Sequence, residues 1–249
     1  MIKIILTGHC GAMGKNLMEL IADAPDLHIS AGIDRNTLDN VSFPQYASFD
    51  EEGISGDVIV DFSHYSLVPA LLDFSERTGI PAVICTTGLT EETLDQIQAV
   101  SAKTPLFKSG NMSLGINLML DLVKKAASIL EDQFDVEILE KHHNKKVDSP
   151  SGTAKMIAQA VASAYTEDRS FVYGREGNQS KRQPKEVGIH AIRGGTIVGE
   201  HTAIFAGTDE IIEITHKAAS KKVFAKGALA AARFLVDQKP GLYNMNNIL

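Results

Sequence analysis

The sequence lacks the features that define several broad protein classes. It has only two cysteines, Cys10 and Cys85, so it cannot form a disulfide framework, and a reducing compartment is the simpler expectation. No stretch approaches the roughly 18 consecutive apolar residues of a membrane span. The first residues, Met-Ile-Lys-Ile-Ile-Leu-Thr-Gly, have too short an apolar run for a signal peptide. These absences predict a soluble, cytoplasmic protein without a membrane partner.

Basic charge is also scarce. The chain has 24 lysines and arginines against 31 acidic residues, and this balance argues against a general nucleic-acid binder, because such a protein needs a basic surface. What the sequence does contain is 44% apolar residues over 249 positions, enough to bury a sizeable core. We find no internal repeat and no low-complexity tract.

The first hundred residues alternate short β-branched runs with helical patterns. This alternation is typical of βαβ units around a parallel sheet that is buried on both faces. The expected strands are Lys3 to Thr7, His28 to Asp34, Asp57 to Phe62, Ala82 to Thr86 and Pro105 to Lys108. The expected helices are Gly11 to Ala22, Leu67 to Thr78 and Glu91 to Ala102, the last capped by Thr90.

The pattern changes after Asn111, where a second unit begins with a long, mostly apolar helix from about Leu114 to Leu130. Strands are expected at Asp135 to Glu140, Glu186 to Ile192, Thr196 to Phe205 and Glu210 to Thr215, with one helix and the polar stretch Gly174 to Pro184 between them. This indicates an α+β domain with an open mixed or antiparallel sheet. An Ala-rich helix from Val223 to Val236 is expected to return to the first domain. We therefore predict one domain from residues 1–111 and 222–249, and another from residues 112–221.

A glycine-rich turn follows the first strand directly: Gly8-His9-Cys10-Gly11-Ala12-Met13-Gly14. Such a turn lets backbone N–H groups and a helix N-terminus approach a pyrophosphate. Asp34, twenty residues after Gly14, is placed to accept hydrogen bonds from a ribose, and Arg35 could instead meet the 2′-phosphate of NADP. We therefore predict a site that uses either NADH or NADPH. The alternative is a purely structural strand-to-helix turn with a solvated aspartate.

A second dense segment joins a predicted strand to a predicted helix: Glu140-Lys141-His142-His143-Asn144-Lys145-Lys146-Val147-Asp148-Ser149-Pro150-Ser151-Gly152-Thr153. Five of the six side chains from Lys141 to Lys146 are of basic type, which favours an electropositive pocket for a small anion. Ser151 is a good N-cap, and the N–H groups of Gly152 and Thr153 could bind a carboxylate. The alternatives are a solvated basic turn, or a zinc site drawn from His142, His143, His190, His201 and His216.

Both segments resemble those of the 4-hydroxy-tetrahydrodipicolinate reductase family, and the resemblance extends from the first strand to Gly241-Leu242-Tyr243. Cys85-Thr86-Thr87-Gly88 and Ser109-Gly110-Asn111-Met112-Ser113 are similar to the family's nicotinamide-side contacts. The family resemblance implies an α/β fold: a Rossmann-like parallel-sheet dinucleotide-binding domain plus an α+β substrate and oligomerisation domain with an open mixed sheet.

The resemblance also implies residue roles. His142 corresponds to the general acid/base and Lys146 to the proton donor, while His143, Gly152 and Thr153 correspond to binders of the substrate carboxylates. The implied reaction is hydride transfer to a cyclic, imine-containing dicarboxylate with loss of water, in a homotetramer and without a metal. Cys85 stands where glycine is usual, and His9, Cys10 and Ala12 also depart from the family's turn.

Two rival interpretations remain at this stage. One is another two-domain oxidoreductase, such as an amino-acid or aldehyde dehydrogenase, that shares the cofactor domain but not the substrate site. The other is an NAD(P)-binding sensor that kept the fold and lost the chemistry. The basic segment disfavours the first interpretation, and intact His142 and Lys146 disfavour the second.

Overall fold

The computed structural model describes residues 1–249, apart from the side chain of Asp132. In chain order, its strands and helices are β1 (Ile2–Thr7), α1 (Ala12–Ala22), β2 (Leu27–Ile33), β3 (Gln45–Tyr46), β4 (Val58–Asp61), α2 (Val68–Thr78), β5 (Ala82–Ile84), α3 (Glu91–Ser101), β6 (Pro105–Lys108), α4 (Leu114–Leu130), β7 (Asp135–His142), α5 (Gly152–Ala162), β8 (Ser170–Tyr173), β9 (Glu186–Arg193), β10 (Gly199–Ala206), β11 (Ile211–Ala218), α6 (Lys222–Leu235) and β12 (Gly241–Tyr243). Short 3₁₀ turns lie at Tyr65–Leu67, Glu131–Gln133 and Met245–Asn247.

The chain divides into two compact units. The first unit comprises Met1–Leu114 and Lys221–Leu249, and the second unit comprises Gly115–Ser220. The first unit holds a seven-stranded parallel sheet in the order β12-β6-β5-β4-β1-β2-β3. Chain progression reverses between β1 and β4, and ligands of open α/β sheets bind outside the carboxyl ends of the strands at such a switch point.

Helices cover both faces of the first-unit sheet. On one face, α1 and α6 bury residues such as Leu17 and Leu229 against Val60 and Phe107. On the other face, α2 and α3 bury residues such as Leu72 and Ile97. Because the strands are enclosed on both sides, they consist of nearly continuous apolar runs. The predicted return of the last helix to the first domain is confirmed.

The second unit holds a five-stranded mixed sheet in the order β11-β10-β7-β9-β8. The pairs β10–β11 and β10–β7 are antiparallel, whereas β7–β9 and β8–β9 are parallel. One face of this sheet packs on α4 and α5 through a core that includes Met119, Ile157 and Phe205. The predicted fold class, a Rossmann-like parallel sheet plus an α+β unit with a mixed sheet, is confirmed.

The long helix matches its prediction at both ends, and Thr90 caps α3 through a hydrogen bond from the Thr93 N–H. Among the described residues, no helix combines the length and the apolar content that a bilayer crossing requires. The sequence interpretation is wrong in a few places. Residues 196–198 lie outside the strand, which begins at Gly199, and they follow Gly195, whose φ is +49°. The short strands β3, β8 and β12 were not predicted.

Gly227 gives the fold a testable packing constraint. A Cβ built on this glycine of α6 would lie 1.6 Å from the carbonyl oxygen of Met112, within the same unit. In an exposed helix interior, Gly→Ala stabilises by about 1 kcal/mol. We expect Gly227→Ala to lower the free energy of unfolding instead, because overpacking of a closed site typically costs about 1–3 kcal/mol.

Urea unfolding of Gly227→Ala would measure this free energy, with Lys226→Ala as the control at an exposed neighbour on the same helix. A Gly227→Ala variant as stable as the wild type, or more stable, would contradict the packing described for α6.

Candidate active site

The glycine-rich turn after β1 is held in close contact with the end of β4. Gly8 has a φ of +75°, and a Cβ on it would lie 2.4 Å from the carbonyl oxygen of Phe62. A Cβ on Gly14 would lie 2.4 Å from the carbonyl oxygen of Gly8. The packing of the turn against β4 and α1 therefore requires glycine at these two positions, whether or not a ligand binds.

Gly11 differs from these two, because it stands at the N-cap of α1. Its extended backbone starts the helix, and in the described structure no side chain caps the first-turn N–H groups. These N–H groups lack intrahelical partners and carry the positive end of the helix dipole, which suits a phosphate. A groove of about 550 Å³ adjoins the turn, and its lining includes Gly8, Gly11, Asp34, Arg35 and Ser63. The residues present therefore fit a dinucleotide.

Asp34 lies one residue beyond the end of β2 and is tied to the turn. Its Oδ2 accepts a hydrogen bond from the Cys10 N–H at 3.2 Å, and its Oδ1 accepts one from the Asn36 N–H at 3.1 Å. Backbone groups on two sides thus fix the carboxylate at the edge of the groove. Arg35, the next residue, is exposed and lines the same groove.

His9 and Cys10 point their side chains into protein surroundings. His9 is fully buried, with Nε2 2.8 Å from Oε1 of Gln45, so it can reach a ligand only through its backbone. The Cys10 thiol lies 3.2 Å from the carbonyl oxygen of Asn36. Among the described side chains, possible ligand atoms of His9, Cys10 and Asp34 lie within 4.8 Å of one another. Burial and the neighbouring Asp34 raise the pKa of Cys10, which disfavours the thiolate that a metal needs.

The carboxyl ends of β4, β5 and β6 lie side by side, with Asp61 paired to Ile84 and Ile84 to Lys108. Cys85 follows Ile84, and burial raises the pKa of its thiol well above the usual value. Thr86 is buried and donates to the carbonyl oxygen of Ser63 at 2.9 Å, whereas Thr87 is exposed. Cys85 therefore acts as a small neutral side chain at the sheet edge where nicotinamide contacts were predicted.

The segment Ser109–Met112 forms the loop between β6 and α4. Within it, Oδ1 of Asn111 accepts a hydrogen bond from the Ser113 N–H at 2.8 Å. Met112 is buried in the first-unit core. Met112 was one of the predicted nicotinamide contacts. Because its side chain packs in the core, it can contact a ligand only through its backbone.

In the second unit, His142 ends β7 beside a buried carboxylate. Glu140 is 0% exposed, and its Oε2 lies 2.6 Å from Nδ1 of His142. Arg193, the last residue of β9, donates to both carboxylate oxygens of Glu140 at 2.7 and 2.8 Å. Burial by itself would raise the pKa of Glu140, but hydrogen bonds from Arg193, His142 and the Ser151 N–H outweigh it and lower that pKa.

The basic segment after β7 is less cationic than its sequence indicates, because several of its cations have acidic partners. Nζ of Lys146 lies 2.8 Å from Oδ1 of Asp148, and Nζ of Lys141 lies 3.3 Å from Oε2 of Glu200. Nδ1 of His143 is buried, and it has no hydrogen-bond partner among the described residues. The prediction of a simple electropositive pocket is therefore too coarse, since two lysines of the segment are paired with carboxylates.

The N-terminus of α5 completes the second-unit site. Ser151 is its N-cap, as predicted, and the Ser151 Oγ accepts a hydrogen bond from the Ala154 N–H at 3.1 Å. The same Oγ lies 3.0 Å from Nε2 of His201 on β10. Gly152 and Thr153 form the first turn, and a Cβ on Gly152 would meet only open space. An anion can therefore approach this helix end closely.

The sequence analysis gave no role in this site to Glu140 or Arg193, and it named His201 only as a candidate zinc ligand. Glu140 could have been recognised, because residues two apart on a strand share a face and Glu140 precedes His142 by two. Arg193 and His201 come from β9 and β10, and nothing in the local sequence indicates that they contact β7. Of the histidines considered for a zinc site, His142 and His201 pack against each other with ring centroids 5.2 Å apart, whereas Nε2 of His190 contacts Oε2 of Glu137 at 2.7 Å.

Comparison with known proteins identifies the family. A model of the N-terminus of dihydrodipicolinate reductase matches residues 2–112, and a model of its C-terminus matches residues 115–249. This chain is a member of the dihydrodipicolinate reductase family. A curated 4-hydroxy-tetrahydrodipicolinate reductase from Caldanaerobacter subterraneus subsp. tengcongensis is 49% identical over 249 residues, which is all of this chain and 98% of the relative. One from Clostridium botulinum is 47% identical, with the same coverage of both chains.

A solved structure of a dihydrodipicolinate reductase shares the fold. A dipicolinate-bound dihydrodipicolinate reductase from Paenisporosarcina sp. TG-14 superposes with a TM-score of 0.82 at 23% identity and covers 100% of both chains. The C-terminal match bears on the rival enzyme interpretation. Because the family resemblance includes the unit that carries His142 to Thr153, this chain does not merely share a cofactor domain with amino-acid or aldehyde dehydrogenases.

His201 makes the stability of the second unit depend on pH. It is 4% exposed, and burial followed by the nearby His142 lowers its pKa from 6.5 to about 4. At a pH between these two values, His201 is protonated in the unfolded chain but stays neutral in the folded protein. Stability should therefore fall as pH drops through this window, by on the order of 3 kcal/mol in total.

Urea unfolding at neutral pH and at about pH 4.5, in the wild type and in His201→Gln, would measure this dependence. We expect the wild type to lose more free energy of unfolding than the variant, and the exposed His28→Gln to behave like the wild type. Equal acid sensitivity of the wild type and His201→Gln would show that His201 is not buried in its neutral form.

Proposed function

We propose that this protein catalyses the reduction of 4-hydroxy-tetrahydrodipicolinate to tetrahydrodipicolinate in lysine and diaminopimelate biosynthesis. The reaction consumes one hydride and one proton and releases water. The observation that carries the proposal is a single segment of the second unit. On it, His142 is held by Glu140, Lys146 follows four residues later, and the chain then enters the open N-terminus of α5.

The roles proposed for the second unit follow from the chemistry of its groups. The N–H groups of Gly152 and Thr153, at the positive end of a helix dipole, bind a substrate carboxylate. His143 offers a further donor to the same dianion. His142 acts as the general acid/base, and Lys146, whose side chain is 20% exposed beside Asp148, supplies the proton to the reduced ring.

The first unit is proposed to bind the cofactor. Bound NADH or NADPH supplies the hydride. The turn residues Gly8 to Met13 and the N-terminus of α1 hold the pyrophosphate, and the segments that include Cys85 to Thr87 and Ser109 to Met112 contact the nicotinamide side. Asp34 accepts hydrogen bonds from a ribose hydroxyl, and Arg35 meets a 2′-phosphate, so we propose that both cofactors are used.

We assign cofactor binding to residues 1–111 and 222–249, and substrate binding and assembly to residues 112–221. The proposed assembly is a homotetramer. It is supported by the second unit's sheet, which has α4 and α5 on one face while its edge strand β11 exposes Ile211 and Ile212. The two free cysteines fit a cytoplasmic location.

A second candidate function is an NAD(P)-binding sensor without catalysis. Both candidates predict cofactor binding, so only turnover separates them. The retention of His142 in a fully hydrogen-bonded carboxylate pair favours the enzyme, since a sensor has no need to hold an imidazole in one orientation.

Removal of the Lys146 ammonium should abolish most turnover. We expect Lys146→Ala to lower kcat by about 10²–10⁴-fold, the range for a lost general acid, while leaving NADH affinity unchanged. The measurement is NADH oxidation with freshly generated substrate, with binding followed by NADH fluorescence.

The matched control is Lys145→Ala, which removes the same charge from an exposed neighbour. A wild type that binds NADH but is as inactive as Lys146→Ala would favour the sensor. Equal activity of Lys146→Ala and Lys145→Ala would reject the role given to Lys146.

Dual cofactor use rests on Arg35. Loss of a hydrogen bond to a charged group costs about 1.5–3 kcal/mol, so Arg35→Ala should raise KM for NADPH by roughly 10-fold to 100-fold. KM for NADH should change little, and it serves as the internal control. The same increase for both cofactors would mean that Arg35 does not contact the 2′-phosphate.

A further inference from the structure

Glu140 occupies the centre of the second-unit site, and its carboxylate is saturated with donors. Oε1 accepts from Arg193 at 2.8 Å and from the Ser151 N–H at 3.0 Å. Oε2 accepts from Arg193 at 2.7 Å and from Nδ1 of His142 at 2.6 Å. These donors come from β9, from the N-cap of α5 and from the end of β7. The buried charge is thus compensated on every side.

An ionised carboxylate is an acceptor only, and this fact assigns the proton on His142. Because Glu140 cannot donate, Nδ1 of His142 must carry the hydrogen in the 2.6 Å contact. In the neutral ring Nε2 is then left without a hydrogen and can accept a proton, and in the charged ring Nε2 can donate one. Because Glu140 binds Nδ1, it leaves Nε2, on the opposite side of the imidazole, as the nitrogen that can exchange a proton.

The surroundings of Nε2 keep it accessible. A Cβ on Gly199 would lie 3.1 Å from Nε2, so this glycine leaves the space that a side chain would fill. The His201 ring packs edge-on against His142, with centroids 5.2 Å apart. His142 retains 12% side-chain exposure. Among the described residues, Nε2 of His142 is not one of the buried nitrogens without a partner, whereas Nδ1 is held by Glu140.

We propose that Glu140 is a positioning residue for the reaction: it fixes His142 with hydrogen on Nδ1, so that Nε2 exchanges the proton with substrate, and Arg193 holds Glu140 in place. The inference rests on the proposed function. Arg193 on β9 contacts Glu140, and His201 on β10 packs against the His142 ring. The charged or titratable neighbours of His201 include His216 on β11 and Lys146 in the following loop, where Lys146 pairs with Asp148. Among the described residues, Glu140 is the hydrogen-bond partner of the His142 ring.

The first test measures the tautomer directly. In wild-type protein carrying ¹⁵N-histidine, long-range ¹H–¹⁵N spectra report which ring nitrogen of His142 is protonated, with His142→Gln used for assignment. We expect hydrogen on Nδ1 above neutral pH. Hydrogen on Nε2 would overturn the proposal, and this result does not depend on activity.

The second test uses Glu140→Gln, with Glu137→Gln as the matched control. Glu137 lies on the same strand and accepts similar bonds, from Nε2 of His190 at 2.7 Å and from Arg175 at 2.8 Å, but it does not contact His142. We expect Glu140→Gln to lower kcat at least tenfold, with KM for NADH unchanged. The alkaline limb of its kcat profile should move to lower pH by about one unit, because the anion no longer stabilises the imidazolium.

Glu137→Gln should keep the wild-type pH profile. A wild-type profile in Glu140→Gln, or the same shift in both variants, would overturn the positioning role. Failure of the proposed function would appear differently, as a wild type without turnover but with the Nδ1-protonated ring intact.

Discussion

The buried carboxylate of Glu140 is the interaction on which the second-unit site depends. A charge in this position is stable only while its hydrogen bonds are complete, and loss of one partner from a buried pair typically costs about 3–5 kcal/mol. Arg193 therefore has two functions. It neutralises Glu140, and its second amino group also donates to the carbonyl oxygen of Asp148 at 2.9 Å, which ties down the loop that carries Lys146.

The same carboxylate connects the proposed acid/base residue to the proposed anion site. Through the Ser151 N–H, Glu140 fixes the residue that caps α5, and through Nδ1 it fixes His142. Backbone hydrogen bonds from Gly194 to His142 and from Asn144 to Gly195 add a further tie between the loop and the turn that precedes β10. The chemistry of the site thus comes from a rigid set of hydrogen bonds, since many of the local cations are paired rather than free.

Much of the fold could be predicted from the sequence, because its signals are local. The switch from β-branched runs to helical patterns predicted the bounds of β1, α1 and β6 to within one residue, and it predicted both ends of α4. The three missed strands have two to four residues each and lie at sheet edges, where a short segment need not carry a strong apolar pattern.

The site was harder to read than the fold. The segment from His142 to Thr153 could be found because its residue types are unusual and contiguous. Its supporting residues could not be found in the same way, since Arg193 is separated from Glu140 by 53 positions and His201 from Ser151 by 50. The sequence also overstated the positive charge of the segment. Charge counting cannot show that Asp148 and Glu200 lie within contact distance of Lys146 and Lys141.

A crystal structure with NADH and pyridine-2,6-dicarboxylate would test the central claim most directly. The account predicts a carboxylate of the analogue on the N–H groups of Gly152 and Thr153, Nε2 of His142 facing the ring, and Nδ1 still bonded to Glu140. An analogue bound elsewhere, for example at the arginine pair Arg175 and Arg182 beside Glu137, or a His142 ring rotated away from Glu140, would contradict it.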